Sequence, residues 1–373
     1  MLPHDRRTFL GLSLALAALP SSQALGQLTP IRIGAMLPDT GPAARTGGAE
    51  QRGIAFALKQ AQGSIRGRQV SLHVENFPAT SQPLLRAFNI LAHANATIAI
   101  IAGYPGPVIG LAPLASKYRV VLVNAGNQTD QLANVSPYLI NTIPPVRDEI
   151  GVLVPFVTGD LKLKHAAVLY TDDAVGLAAR GDFVGAFEAA GGKITHQEKV
   201  SAGTTDFSPA LSALVVAKPP LLFTGIAEGG RSLALQMRGL GLTMPVVGTS
   251  SLADPATILE PAANGWYHTQ VPSPKPAQLT AEFKRAFPAE PFAFYTRQYY
   301  YATAMILAAL EKLTAEKRAI SGKTLRAAIL ETRHFPGIPP LDSKGNATAP
   351  EIEIVRFENG KDKIVKRVKR DAG

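Results

Sequence analysis

Along the chain, apolar residues recur with two alternating periods, and the alternation predicts an architecture. Ile31 to Leu37 is a β-rich run, followed by Gly48 to Ala61, where Ile54, Leu58 and Ala61 share one helical face. Val70 to Val74 reads as the next strand, and Ser81 to Asn95 as a helix with its stripe on Leu84, Phe88, Leu91 and Ala92. Strand Ile98 to Ala102, helix Val108 to Lys117 and strand Val120 to Val123 continue the cycle. Such βαβ repetition implies a mostly parallel sheet with helices on both faces.

The pattern then begins again. Asp148 to Gly159 is helical, Ala166 to Tyr170 a strand, and Leu177 to Ala190 a helix with Phe183 and Phe187 one turn apart and a stop at Gly191 and Gly192. Strands Ile194 to Lys199, Leu221 to Thr224 and Pro245 to Gly248 alternate with helices Ser208 to Val216 and Gly230 to Gly239. Asn141 to Pro145, Gln270 to Pro276 and Pro336 to Pro340 read as linkers. Between the last two lie a long helix, Phe292 to Lys317, and a shorter one, Lys323 to Thr332; two terminal strands, Ile352 to Phe357 and Lys363 to Val368, close the chain. At 373 residues, two domains are expected on the usual ~150 residues each.

The first 26 residues stand apart. Arg6 and Arg7 precede an uncharged stretch from Leu10 to Leu19, then Pro20 and the small-residue pattern Ala24, Leu25, Gly26. This is the order of an export signal peptide, and the Arg pair followed by Phe9 and Leu10 is twin-arginine-like. The apolar stretch is too short for the ~20 residues of a membrane-spanning helix. With no cysteine in the chain there is no thiol to carry a lipid, so the exported product is expected to be soluble in the periplasm and not lipid-anchored.

Absent cysteine also excludes disulfides, thiolate zinc sites and a Cys nucleophile. No Gly-x-Ser-x-Gly elbow or His-Glu-x-x-His helix is present, and the 7 His are scattered, so neither an enzyme, a metal nor a cofactor is expected. Gly322, Lys323 and Thr324 lack the preceding glycine of a phosphate loop and read as a helix start. The net charge of +10 comes without aromatic interleaving, which argues for a basic solvated surface and against a nucleic-acid partner. The C-terminal Lys361, Lys363, Lys366, Arg367, Lys369 and Arg370 read as a solvated strand and tail.

In open α/β sheets ligands bind beyond the carboxyl ends of the strands. Pro38 to Gly47, Gly103 to Pro107 and Asn124 to Thr129 follow strands of the first unit; Tyr170 to Gly176, Thr224 to Glu228 and Gly248 to Ser251 follow those of the second. Thr40-Gly41-Pro42, Gly53, Val121 to Gln128, Asn141 to Pro144, Val168 to Gly176, Thr205 to Ser208, Gly225 and Gly239 to Gly248 stand in an order that resembles the type I periplasmic solute-binding proteins of ABC importers, in the leucine/isoleucine/valine-binding family. The resemblance spans nearly all of residues 28 to 360. It implies a type I periplasmic-binding fold: two doubly wound parallel-sheet lobes, 28–143 plus 273–338 and 144–272 plus 339–373, joined by a three-crossing hinge. It further implies a monomer that closes on a small-molecule ligand and delivers it to an inner-membrane ABC permease; the alternative is a ligand-sensing module for a signalling receptor.

The resemblance places the ligand among Thr46, Tyr104, Pro105, Gly106, Asn124, Gly126, Asn127, Gln128, Val175, Ile226, Ala227, Glu228 and Ser250. The chain departs from the family's amino-acid binders there. Serines of the first-lobe loop are replaced by Tyr104, Pro105, Gly106 and Pro107; tyrosine positions fall on Thr46, Val175, Ile226 and Ala227; and the acid that would meet an ammonium group falls near Ser250, with Glu228 two or three positions from the expected sites. A buried ammonium without a carboxylate costs several kcal/mol. The expected ligand is therefore a small organic carboxylate or amide, aromatic ones included, rather than an amino acid, with Arg45 as a candidate partner for its anionic end.

Overall fold

The computed structural model describes residues 29–40, 44–77, 81–103, 107–172, 174–201, 203–226, 229–253, 257, 259–272 and 277–370. The segment expected to direct export and the tripeptide Tyr104, Pro105, Gly106 lie outside them, as do Ala227, Glu228 and most of the expected second crossing, 273–276.

Strands β1 (Ile31–Pro38), β2 (Ser64–Ile65), β3 (Arg68–Phe77), β4 (Ala99–Ala102), β5 (Val121–Asn124) and β6 (Leu139–Asn141) form one sheet in the order β2-β3-β1-β4-β5-β6. All its pairs but the short β2/β3 hairpin are parallel. Helix α1 (Ala44–Gln60) covers one face, where Ile54 and Ala57 meet Ile33, Ala35 and Ile101; α2 (Ser81–Asn89) and α3 (Pro107–Tyr118) cover the other, with Phe88 and Leu111 against Ile100 and Leu122. At β4 and β5 both faces are buried, which is why these strands read as continuous apolar runs.

A second sheet follows. Helix α4 (Val146–Pro155) leads into β7 (His165–Thr171), α5 (Ala174–Ala189), β8 (Lys193–Val200), α6 (Ser208–Ala217), β9 (Leu222–Gly225), α7 (Gly230–Gly239), β10 (Val246–Gly248) and β11 (Tyr267–Gln270). The expected Phe183/Phe187 pair is buried, its rings stacked 5.2 Å apart, with Phe223 stacked 4.0 Å from Phe183. The chain then forms α8 (Ala277–Ala286), α9 (Phe294–Ala315) and α10 (Gly322–Thr332), whose Phe283, Tyr299, Ile306 and Ile329 pack in the first sheet's core beside α1. Ser321 caps α10 reciprocally with Thr324, as the helix-start reading of Gly322 to Thr324 required.

The terminal hairpin β12 (Glu351–Glu358) and β13 (Lys361–Lys369) returns to the second sheet, in the order β13-β12-β11-β10-β9-β7-β8. Two of its pairs, β11/β12 and β12/β13, are antiparallel, in keeping with a mostly parallel sheet, and a tight Asn359-Gly360 turn, both residues at positive φ, reverses the chain between β12 and β13. Leu341 and Ala347, expected with the second lobe, pack in the first core, and Ala349 in a core with Ile352 and Ile354. On the edge strand, Lys366 pairs with Asp160 at 2.6 Å and Arg367 with Glu353 at 2.9 Å. A cationic edge of this kind resists pairing with another chain. Among the described residues no helix is long and apolar enough to cross a membrane.

In each sheet the order reverses beside the first strand, with β3 and β4 flanking β1 and β8 and β9 flanking β7. Loops diverge at such switch points and leave a crevice beyond the strand ends.

Candidate functional site

The loop after β5 is knitted by its own amides. Asn124 Oδ1 accepts from the backbone N–H of Gly126 (3.3 Å) and Asn127 (2.9 Å), and Asn124 Nδ2 donates to Asn127 O (2.7 Å) and Asn141 Oδ1 (3.0 Å). Asn141 Nδ2 in turn donates to Asn346 Oδ1 at 2.8 Å, tying the loop to the returning chain. Asn127 Oδ1 accepts from Thr129 N at 3.1 Å, while its buried Nδ2 makes no hydrogen bond among the described residues. A short polar side chain that bonds nearby backbone fixes a turn without regular structure.

Gly126 sits against Gly103 at the end of β4. A methyl group on Gly103 would stand 2.5 Å from Gly126 N and 2.6 Å from Tyr299 Oη, so both strand ends approach as closely as glycine permits. Behind them, Glu50 of α1 is buried, and burial pushes its carboxyl up to about 8, an effect that the Tyr299 phenol at its side partly offsets. Tyr299 itself is raised, by burial first and by Glu50 next.

Sequence reasoning missed Glu149. It is fully buried on α4, and its carboxylate accepts four hydrogen bonds. Oε1 takes Gln128 Nε2 (2.6 Å) and Ser250 Oγ (2.8 Å); Oε2 takes Ser250 N (2.7 Å) and Thr269 Oγ1 (2.6 Å). Gln128 follows β5 of the first sheet, and Ser250 follows β10 of the second. The N–H of Val146, at the start of α4, also donates to Gln128 O at 2.7 Å. Glu149 lies i+3, i+4 and i+7 from Val152, Leu153 and Phe156, all buried; an acid on an apolar stripe was the signal available in the sequence.

Of the remaining expected residues, Ile226 is buried after β9, and its carbonyl accepts from Ser251 Oγ at 3.2 Å. Val175 is half-buried in the first turn of α5, and Thr46 half-buried in that of α1. Tyr104, Pro105, Gly106, Ala227 and Glu228 lie outside the described residues, as does the Arg45 side chain. Gln128 and Ser250 come together at Glu149; Asn124, Gly126 and Asn127 stand in one loop beside them.

At the root of the crevice a cavity of about 680 Å³ is lined by Gln128, Thr142 to Pro144, Glu149, Ser250, Gln270 to Pro272, Phe294, Arg297 and Gln298, with Glu353, Asp362 and Ile364 of the terminal hairpin and Gly337 and Pro339 of the third linker. Its walls come from both sheets' units and from every linker expected in the sequence. The volume falls within the ~300–1,000 Å³ of small-molecule sites. No group of three or more His, Asp and Glu suited to a metal occurs among the described residues.

The chain matches the family described as periplasmic binding protein over residues 30–355. It is 24% identical over 351 residues to Leu/Ile/Val-binding protein homolog 3 of Brucella melitensis, covering 89% of this chain and 92% of that one. Its fold is similar to the crystal structure of a branched chain amino acid ABC transporter from Thermus thermophilus with bound valine (TM-score 0.82, 17% identity, 93% of this chain and 98% of that chain). It is likewise similar to a solute binding protein of an ABC transporter from Rhodopseudomonas palustris BisB5 in complex with 3,4-dihydroxy benzoic acid (TM-score 0.80, 22% identity, 91% and 97%). The type I periplasmic-binding fold and the two lobes expected from the sequence are borne out.

Proposed function

Because the chain belongs to the periplasmic binding protein family, whose members serve ABC transporters as solute receptors rather than as enzymes, we propose that it closes two lobes on a small organic carboxylate or amide and delivers it to an importer of the branched-chain amino acid class. The observation that carries this reading is the meeting of Gln128 and Ser250, strand-end residues of different sheets, on one buried carboxylate beside a cavity walled by both units. A ligand in such a cavity touches both lobes only when they are closed, and so stabilises the closed form. No bond is broken.

Both ligand classes are found among the structural neighbours, valine in one and a dihydroxybenzoate in another. The residues of this chain favour the second class. By the family resemblance, Thr46, Val175 and Ile226 stand where the amino-acid binders carry tyrosines, and the position of the ammonium-binding acid falls near Ser250. Glu149 does supply a carboxylate next to Ser250, but an ionised carboxylate has about four lone-pair sites, and all four are filled by protein donors.

The lobes follow the expected 28–143 with 273–338 and 144–272 with 339–373, save that Leu341 and Ala347 pack in the first core and Ala349 in another, which supports moving the third crossing from 338 to between Ala347 and Ala349. The Arg6-Arg7 segment exports the chain, and the product is a free monomeric receptor in the periplasm. A thermal-shift panel of amino acids, short organic acids, aromatic acids and amides tests the ligand class: strong stabilisation by leucine or valine alone overturns it. A pull-down on inner-membrane proteins with and without that ligand tests delivery, and retention of a sensor kinase instead of a permease overturns transport.

A further inference from the structure

We propose that Arg297 anchors the carboxylate of the ligand, so that the solute is an organic acid without an ammonium group; this rests on the solute-binding reading above. Among the described residues, four charged side chains line the cavity: Glu149, Arg297, Glu353 and Asp362. The acids are engaged. Glu149 has its four protein donors and Glu353 accepts from Gln270 Nε2 (2.7 Å) and Arg367 Nε (2.9 Å), while Asp362 acts electrostatically on Arg297 itself. A ligand ammonium at Glu149 or Glu353 would have to displace one of these donors, and at Asp362 it would meet the Arg297 cation.

Arg297 is the sole cation among the described lining residues. It stands on α9 one turn from Phe294, and its Nη1 donates to Phe292 O at 3.1 Å. That uses one of five donors of a planar fork matched to a carboxylate. Burial pulls its pKa downward, opposed by the nearby Tyr301 and Asp362, and the residue is half-buried. A half-buried cation, as Arg297 is, gains from an anion that arrives with hydrogen bonds. Phe294, Ile143, Pro144, Val271 and Ile364 supply apolar walls for the rest of the molecule. Because Arg297 belongs to the helix packed on the first sheet while Gln270 and Glu353 belong to the second, an acid held there draws the two units together.

The test uses matched acid and amide pairs (benzoate and benzamide, 3,4-dihydroxybenzoate and its amide, 4-methyl-2-oxopentanoate and its amide) with leucine and valine alongside. They are titrated calorimetrically into the full mature chain, as wild type, Arg297→Met and Arg297→Lys. At least one acid is expected to bind the wild type ten-fold or more tighter than its amide. Arg297→Met should lose that acid a hundred-fold or more, and Arg297→Lys, a point charge without the fork, should retain part of the affinity. An amide that equals its acid, an acid that binds Arg297→Met within three-fold of wild type, or a wild type that takes no acid of the set overturns the proposal. Should leucine, valine or an amide bind in that last case, the solute-binding reading stands while the carboxylate assignment falls. If Arg297→Met does not fold, the acid against amide comparison on the wild type decides alone.

Discussion

Glu149 receives two donors on each oxygen, and glutamine in its place cannot accept all four. Either orientation of the new amide sets its NH₂ against the Ser250 N–H, which only donates, or obliges Gln128 to turn its own amide. Glu149→Gln should cost about 1–3 kcal/mol of stability, read from urea unfolding, because a buried donor is left facing a donor. Glu50 gives a different signature. Its folded carboxyl is held at about 8 by burial, above the ordinary 4.5, so the neutral form contributes stability in full below about pH 4.5. That contribution is lost as pH rises to about 8, by roughly 1.4 kcal/mol per pH unit in between. Glu50→Gln keeps the shape without the proton. The difference in unfolding free energy between the two proteins at pH 5, 7 and 9 should therefore shift in favour of the variant as pH rises, and a constant difference would show that Glu50 does not titrate in the fold. Neither acid was legible as functional, although both interrupt an apolar stripe: what marks them is their partners, Thr269 at 120 positions from Glu149 and Tyr299 far along the chain from Glu50.

Between elements, the closest approach of α1 to α9 is set at Gly53, where a methyl group would stand 2.2 Å from Thr296 O and 2.9 Å from Tyr300 N. Gly53→Ala must part the two helices, and the expected loss of about 1–3 kcal/mol outweighs the helix-propensity gain of alanine. Gly181→Ala in α5 is the opposite case. Nothing lies within 4 Å of the new methyl, so a gain of about 0.5–1 kcal/mol is expected from the same substitution type, and thermal melts of the pair separate packing from propensity. The apolar periods made β1, β3 to β5, β7 to β10 and most helices legible, because each hides a continuous stripe or run. They did not reveal β11. Its His268 and Thr269 are polar yet fully buried, Thr269 bonding Glu149, so the strand exists through tertiary partners rather than through a local pattern. Helix α8 was hidden for a related reason: it follows Pro272, Pro274 and Pro276, and Phe283 is its one fully buried anchor among the described residues.

On the scale of the whole molecule, the two switch points place the first turns of α1 and α5 at the rims of opposite lobes, since these helices follow β1 and β7. Composition suggested only two domains in series, whereas α8 to α10 pack in the first sheet's core and β12 and β13 join the second sheet, and the cysteine-free sequence makes the distance between the two rims measurable. Gln51, exposed on α1, and Leu177, exposed on α5, can each be replaced by cysteine as the sole thiols of the chain and labelled as a fluorescence donor and acceptor. Neither lines the cavity. A solute that bridges the lobes shifts the open and closed populations only by its difference in affinity for the two forms. Transfer efficiency should therefore rise on addition of the acid that stabilises the protein, and saturate with the same concentration dependence as the thermal shift. An acid that raises the melting temperature with no change in transfer would be bound by one lobe alone, and closure around the ligand would then be abandoned.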